Sequence, residues 1–211
     1  MNRKTALITG ATSGIGMACA RRFAVGGYNL IITGRSADKL QALKAELEAG
    51  GVEVLALAFD VCNREATRDA VASIPDAFKP IDVLINNAGL ARGLEPEYEG
   101  DFQDWDEMID TNIKGLLNMT RFVVPGMVSL NHGHVINIGS VAGDAAYAGG
   151  GVYCATKAAV KALTDGLRID VAHTSVRVTN LKPGLVETNF SNIRFHGDNE
   201  RADNVYKGIK P

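Results

Sequence analysis

The chain is predicted to be an α/β protein built on one doubly wound parallel sheet. Three observations carry that expectation. Short β-branched and apolar runs recur at residues 4–9, 28–33, 52–59, 81–85, 135–138 and 176–181. Helix-compatible stretches separate these runs, so strand and helix alternate along the chain, as right-handed crossovers between parallel strands require. The first run opens onto a glycine-rich turn that leads directly into a helix.

Bulk composition narrows the classes. A length of 211 residues is enough for one α/β core. Apolar residues make up 46% and charged residues 22%, the balance of a soluble globular domain. The net charge of −2 leaves no basic footprint for nucleic acid or an anionic membrane. Cys19, Cys62 and Cys154 are odd in number and lack zinc-site spacing, so reduced thiols in a cytoplasmic setting are expected. No apolar run approaches the roughly 20 residues of a membrane span, and residue 4 already begins a strand, so neither a span nor a signal peptide is expected.

After the strand at 4–9 comes Gly10-Ala11-Thr12-Ser13-Gly14-Ile15-Gly16, then helix-like sequence over 17–25, stopped by Gly26-Gly27. In a strand–turn–helix setting each glycine has a job: Gly10 for the tight turn, Gly14 for close approach to a pyrophosphate, Gly16 for close packing of helix on strand. The helix N-terminus then offers free N–H groups and its positive dipole end to an anion. A purely structural turn is the plainer reading of the same residues.

The second strand, 28–33, ends in Gly34-Arg35-Ser36, with no acid to hold ribose hydroxyls. Arg35 instead suits a 2′-phosphate, which favours NADP over NAD; otherwise it is a surface residue opening the helix at 37–49. Asp60, after the third strand at 52–59, fits either an adenine amino group or a cap for the helix at 63–73. The fourth strand, 81–85, runs into Asn86-Asn87-Ala88-Gly89, where small residues admit close backbone approach and the amides can tie loops together or touch a ribose.

Residues 102–130 read as one long helical region carrying Trp105, Ile109, Leu116, Leu117 and Met119. Asn112 inside it is unfavourable for a helix interior and needs either a solvent-facing position or a function. Gly139-Ser140 follows the strand at 135–138, at the end where open α/β sheets bind ligands. The helix at 152–171 begins with Tyr153-Cys154-Ala155-Thr156-Lys157. At i and i+4 the phenol and the ammonium project from one face. A nearby cation favours the phenolate. Lowering the phenol from about 10 to roughly 7–8 takes about 3–4 kcal/mol of preferential stabilisation. The product would be a proton donor and acceptor near neutral pH. The last strand, 176–181, ends in Pro183-Gly184.

Taken together, Thr9-Gly10-x-x-x-Gly14-Ile15-Gly16, Asn86-Asn87-Ala88-Gly89, Asn112, Ser140, Tyr153-x-x-x-Lys157 and Pro183-Gly184 resemble the short-chain dehydrogenase/reductase family, in its order and spacing and over nearly the whole chain. The resemblance implies a single Rossmann-like domain over 1–211, strand order 3-2-1-4-5-6, with NADP as cofactor and a small-molecule substrate. It implies Tyr153 as general acid/base and Lys157 as the residue that lowers its pKa and holds the nicotinamide ribose. Ser140 would donate to the substrate oxygen, and Asn112 would hold a water linking Lys157 to solvent. Gly10, Thr12, Ser13, Gly14, Ile15 and Gly16 would cradle the phosphates, with Arg35 at the 2′-phosphate. Asp60 and Val61 would meet adenine, and Asn86, Asn87 and Ala88 the ribose side. Pro183, Gly184, Val186 and Thr188 would close over the nicotinamide.

A narrower likeness comes from Asn87-Ala88-Gly89-Leu90-Ala91, Gly115-Leu116, Asn131-His132-Gly133-His134 and Phe190-Ser191-Asn192-Ile193-Arg194-Phe195. These resemble the branch that oxidises serine, allo-threonine and related 3-hydroxy acids and reduces malonic semialdehyde. Such substrates carry a carboxylate, for which Arg194 is the first candidate clamp and Arg92 the second; His196 reads as a solvated loop residue. The alternatives are a 3-oxoacyl thioester or broad carbonyl reductase of the same family, and a non-catalytic NADPH-binding regulator. The family pattern continues past Pro211 with a further helix and a seventh strand, which usually complete the sheet edge and a homotetramer or dimer. This chain is therefore expected to lack both, leaving its polar end (Asp198 to Lys207) beside an unprotected edge.

Overall fold

The computed structural model describes residues 3–201. Four strands alternate between two apolar faces. In β1 (Thr5–Ile8) every residue is buried; Ala6 and Ile8 point to one core and Leu7 to the other. β2 (Asn29–Gly34), β3 (Val54–Ala58) and β4 (Ile81–Asn86) follow the same pattern: Leu30, Ile32, Val54, Val83 and Ile85 join the first core, Ile31 and Leu84 the second. β5 (His134–Ile138) and β6 (Arg177–Leu181) complete one parallel sheet, ordered β3-β2-β1-β4-β5-β6, as expected.

Helices close both faces because the strands need cover on both. α1 (Gly14–Val25) and α2 (Ala37–Glu48) bring Ala20, Leu40, Leu43 and Leu47 to the first core. α3 (Arg64–Ala72), α5 (Leu116–Ser129) and α6 (Gly151–Asp170) cover the second core with Val71, Met119, Val123, Met127 and Leu167. Strand order reverses between β1 and β4, and ligands bind outside the carboxyl ends of the strands at such a switch point.

Three local features depart from the expected pattern. α1 begins at Gly14, three residues before the helical periodicity does, because a Cβ on Gly16 would collide with Gly10 O and Asn87 Nδ2 and only glycine lets the first turn sit there. Asp60 is not the cap of α3: Asn63 Oδ1 accepts from Ala66 N at 3.0 Å, while Asp60 accepts from Cys62 N at 2.9 Å in the loop before it. The region 102–130 is helical throughout but not uniformly α. α4 (Phe102–Ile109) passes through a π-helical turn, Asp110–Gly115, into α5. α7 (Phe190–Arg194) lies beyond β6. The tail with Asp203 and Lys207, and the expected absence of a final helix and strand, lie outside the described residues. Among the described residues no helix is long and apolar enough to cross a membrane.

Candidate active site

A cleft of about 890 Å³ opens at the carboxyl ends of β1, β4, β5 and β6. Its floor is built by the β1–α1 and β4–α4 turns, which are bolted together. Thr9 Oγ1 accepts from Asn87 N (3.0 Å) and Ala88 N (2.9 Å), and Asn87 Nδ2 donates to Thr9 O (2.9 Å) and Gly10 O (3.1 Å). Gly10 and Gly14 have φ of +62° and +51°, the left-handed region that glycine enters without strain. Gly10, Thr12, Ser13, Gly14 and Ile15 line the cleft. The first turn of α1 contains no acid, and Ser13 caps it without a side-chain bond, so its N–H groups are left for an anion.

Arg35 stands exposed at the rim and makes no ion pair among the described residues. Asp60, Val61, Asn87 and Ala88 form one wall, and Pro183, Gly184, Val186 and Thr188 the other. Thr188 reaches across to Gly14, where an added Cβ would lie 3.4 Å from Thr188 Cβ. A groove with a basic rim, glycine backbone and a free helix N-terminus fits a phosphorylated dinucleotide. Two expected cofactor contacts fall elsewhere. Gly16 is packed beneath the turn. Asn86 is buried in the sheet, where its Nδ2 donates to Asn137 Oδ1 at 2.9 Å, and neither residue lines the cleft.

α6 carries Tyr153 and Lys157 one turn apart, as their spacing predicts. Ser140, at the end of β5, lines the cleft with Tyr153, and its hydroxyl pulls the phenol's pKa down, which favours the phenolate. Lys157 is buried and donates to Ile138 O at 2.9 Å, with its Nζ 5.9 Å from the Tyr153 ring centroid. The expected acidification does not come from this pair alone. Burial pushes Tyr153 up to about 12, against the pull of Ser140 and of the Arg194 guanidinium. Burial also pushes Lys157 down to about 8. The physical reason is desolvation: the lysine faces a backbone carbonyl, and both groups pay for leaving water before any ion joins them.

Asn112 is not solvent-facing. It is buried in the π turn, with Oδ1 accepting from Leu90 N (2.8 Å) and Nδ2 donating to Leu90 O (2.8 Å) and Thr156 Oγ1 (2.9 Å). Its carboxamide is a clamp that joins the β4–α4 loop to α6 beside Lys157.

α7 delivers Arg194 into the same cleft. It is 6% exposed. Nε donates to Gly93 O (2.7 Å) and Nη1 to the Tyr147 hydroxyl (2.9 Å), while buried Nη2 has no hydrogen-bond partner among the described residues. Its Cζ lies 5.9 Å from the Tyr153 ring centroid. Arg92, the second candidate, is committed elsewhere: it pairs with Glu107 at 2.8 Å and donates to Ile193 O, strapping α7 down. His196 is an exposed loop residue paired with Asp104. Tyr147 is a site residue that sequence reasoning missed. Its only signal was its place between Ser140 and Tyr153.

The family model of the short chain dehydrogenases matches residues 4–198. The NADP-dependent 3-hydroxy acid dehydrogenase YdfG of Salmonella typhi is 54% identical over 202 residues, covering 95% of this chain and 80% of that protein. Serine 3-dehydrogenase of Rhizobium radiobacter is 48% identical over 207 residues, 98% of this chain and 82% of that protein. The closed form of a serine dehydrogenase complexed with NADP+ superposes with a TM-score of 0.94 at 50% identity, covering 98% of this chain and 82% of that one.

Proposed function

The chain belongs to the short-chain dehydrogenase family, and from that premise we propose that it moves a hydride between NADP and the hydroxyl-bearing carbon of a small 3-hydroxy acid. It is an NADP-dependent oxidoreductase acting on CH–OH groups. The acid is of the serine, allo-threonine or 3-hydroxypropionate type, which agrees with the activities named for its relatives. One observation carries the choice of an acid: the orphaned Nη2 of buried Arg194, in the cleft that also holds Ser140 and Tyr153. A buried guanidinium with a spare donor calls for an anion, and a carboxylate is the anion that a 3-hydroxy acid presents.

The roles follow from where the groups sit. Arg194 binds the carboxylate and so sets the distance to the hydroxyl. Ser140 donates to the substrate oxygen, and Tyr153 takes the hydroxyl proton in oxidation and returns it in reduction. Lys157 holds the ribose and the local positive potential. NADP, when bound, supplies the hydride site, and its oxidised ring supplies a positive charge that favours the Tyr153 phenolate. Arg35 with Thr12 and Ser13 would grip the phosphates; Asp60 and Val61 would face the adenine; Thr188 with Pro183, Gly184 and Val186 would cover the nicotinamide. Phe102, Ile109 and Leu117 stay exposed along α4 and α5, which supports a homodimer or tetramer; a cytoplasmic setting is proposed on the three unpaired cysteines.

The test is NADP-dependent oxidation of L-serine, L-allo-threonine, 3-hydroxypropionate and a neutral secondary alcohol, with NAD in parallel. Turnover of the acids with NADP is the expected result. Turnover of the neutral alcohol alone would reassign the chain to the broad carbonyl reductases. NADPH binding without turnover would make it a regulator.

A further inference from the structure

The guanidinium of Arg194 is held on two sides by two different loops. Gly93 O, in the β4–α4 loop, takes Nε, and the Tyr147 hydroxyl, in the loop before α6, takes Nη1. The same guanidinium lies 5.5 Å from the Tyr147 ring centroid and 5.9 Å from that of Tyr153. Tyr147 can reach this position because residue 150 is glycine: a Cβ there would overlap the Tyr147 ring.

In the bond to Arg194 the Tyr147 oxygen is the acceptor, since a guanidinium can only donate. The phenol's own proton therefore points elsewhere, and it meets no acceptor among the described residues. Arg194 Nη2 is likewise without a partner among the described residues. Two unspent donors thus lie on neighbouring groups, both in the wall of the cleft that holds Ser140 and Tyr153. A carboxylate has two oxygens and only accepts.

We propose that Tyr147 is a substrate-binding residue: its O–H and Arg194 Nη2 form a two-donor site that takes one carboxylate oxygen each. Tyr147 is then a specificity determinant as well as a brace for Arg194. This rests on the 3-hydroxy acid reading above. An acid fills both donors, whereas a neutral alcohol leaves the buried Nη2 of Arg194 without an anion. The site therefore discriminates by penalising the neutral substrate as much as by favouring the acid.

The experiment is Tyr147→Phe, which keeps the ring and removes only the hydroxyl, assayed with saturating NADP on 3-hydroxypropionate and on a neutral secondary alcohol. The ratio of kcat/KM on the acid to kcat/KM on the alcohol is expected to fall about tenfold, the worth of one hydrogen bond to a charged group. The loss should lie in KM for the acid. Propionate, as a competitive inhibitor without a hydroxyl, should weaken by a similar factor. An unchanged ratio, including a parallel fall on both substrates, would overturn the proposal. Arg194→Gln in the same assay separates the two readings. If Arg194→Gln leaves the ratio unchanged, the acid site itself fails; if it lowers the ratio while Tyr147→Phe does not, only the role of Tyr147 fails.

Discussion

Asn112 holds both polar groups of Leu90 from inside a π-helical turn, accepting from its N–H and donating to its carbonyl, each at 2.8 Å. Because Nδ2 also reaches Thr156, next to Lys157, one carboxamide fixes the floor of the cleft relative to α6. Asn112→Ala would leave buried Leu90 N–H and C=O without partners, at a cost of about 2–4 kcal/mol. The expected outcome is a lower urea midpoint together with loss of turnover. Asn112→Asp, which sets a buried carboxylate oxygen against Leu90 O in place of a donor, should be at least as destabilising. Wild-type stability in Asn112→Ala would refute the clamp.

Arg35 lines the cleft, has no ion pair among the described residues, and is the residue proposed to grip the 2′-phosphate. Arg35→Asp is expected to raise KM for NADP by at least about tenfold, the loss of a charge-assisted pair made worse by like-charge repulsion, with NAD far less affected. Equal effects on both cofactors would show that Arg35 does not read the phosphate.

The pH dependence has a defined sign. Oxidation requires the phenolate of Tyr153, so kcat/KM in that direction should rise with pH, and reduction should decline over the same limb. Ser140 favours the phenolate. Ser140→Ala must therefore move the limb to higher pH as well as lower kcat. A limb left in place, or moved to lower pH, would contradict this role of Ser140.

Lys157 supplies a stability test. Burial lowers its folded-state pKa from 10.5 to about 8. Below pH 8 the folded chain must keep a buried ammonium charged, and the resulting penalty disappears as pH rises from about 8 to about 10.5, where both states become neutral. In the cofactor-free protein, Lys157→Met is expected to be inactive yet more thermostable than wild type at pH 7. The gap in Tm should close toward pH 10.5. A gap that does not vary with pH would show that the ammonium is not desolvated.

Two glycines should respond in opposite directions. Gly16→Ala places a methyl against Gly10 O and Asn87 Nδ2, so it should displace α1 from the glycine turn and abolish NADPH binding. Gly166, inside α6, has nothing within 4 Å of an added Cβ. Gly166→Ala should stabilise the fold by roughly 0.5–1 kcal/mol through the helical preference alone. Circular dichroism melts and NADPH fluorescence titration measure both.

The fold was largely legible in the chain. Ala6, Leu7 and Ile8, and Leu30, Ile31 and Ile32, are apolar in unbroken runs because both faces of a parallel strand are covered, and such runs separated by helical sequence admit few topologies. The pairing of Tyr153 with Lys157 was legible too, because α-helical periodicity alone puts i and i+4 on one face. Less visible was the π turn at 110–115, since five-residue hydrogen bonding has no composition of its own, and the start of α1 at Gly14, where packing overrides the poor helix propensity of glycine.

By itself, then, the sequence determined the elements, their order and the residue types that carry the chemistry, because these depend on local periodicity and on spacing along one helix or turn. Tertiary structure alone decided which charges are spent and which are free. Arg92 and Arg194 are both arginines near a turn. One is consumed by Glu107 and Ile193 O, and the other is left with an unpaired Nη2 beside Tyr147 and Tyr153. The burial that lifts Tyr153 and lowers Lys157 is likewise a property of the packed whole, since desolvation depends on every neighbour at once and no short stretch of chain encodes it.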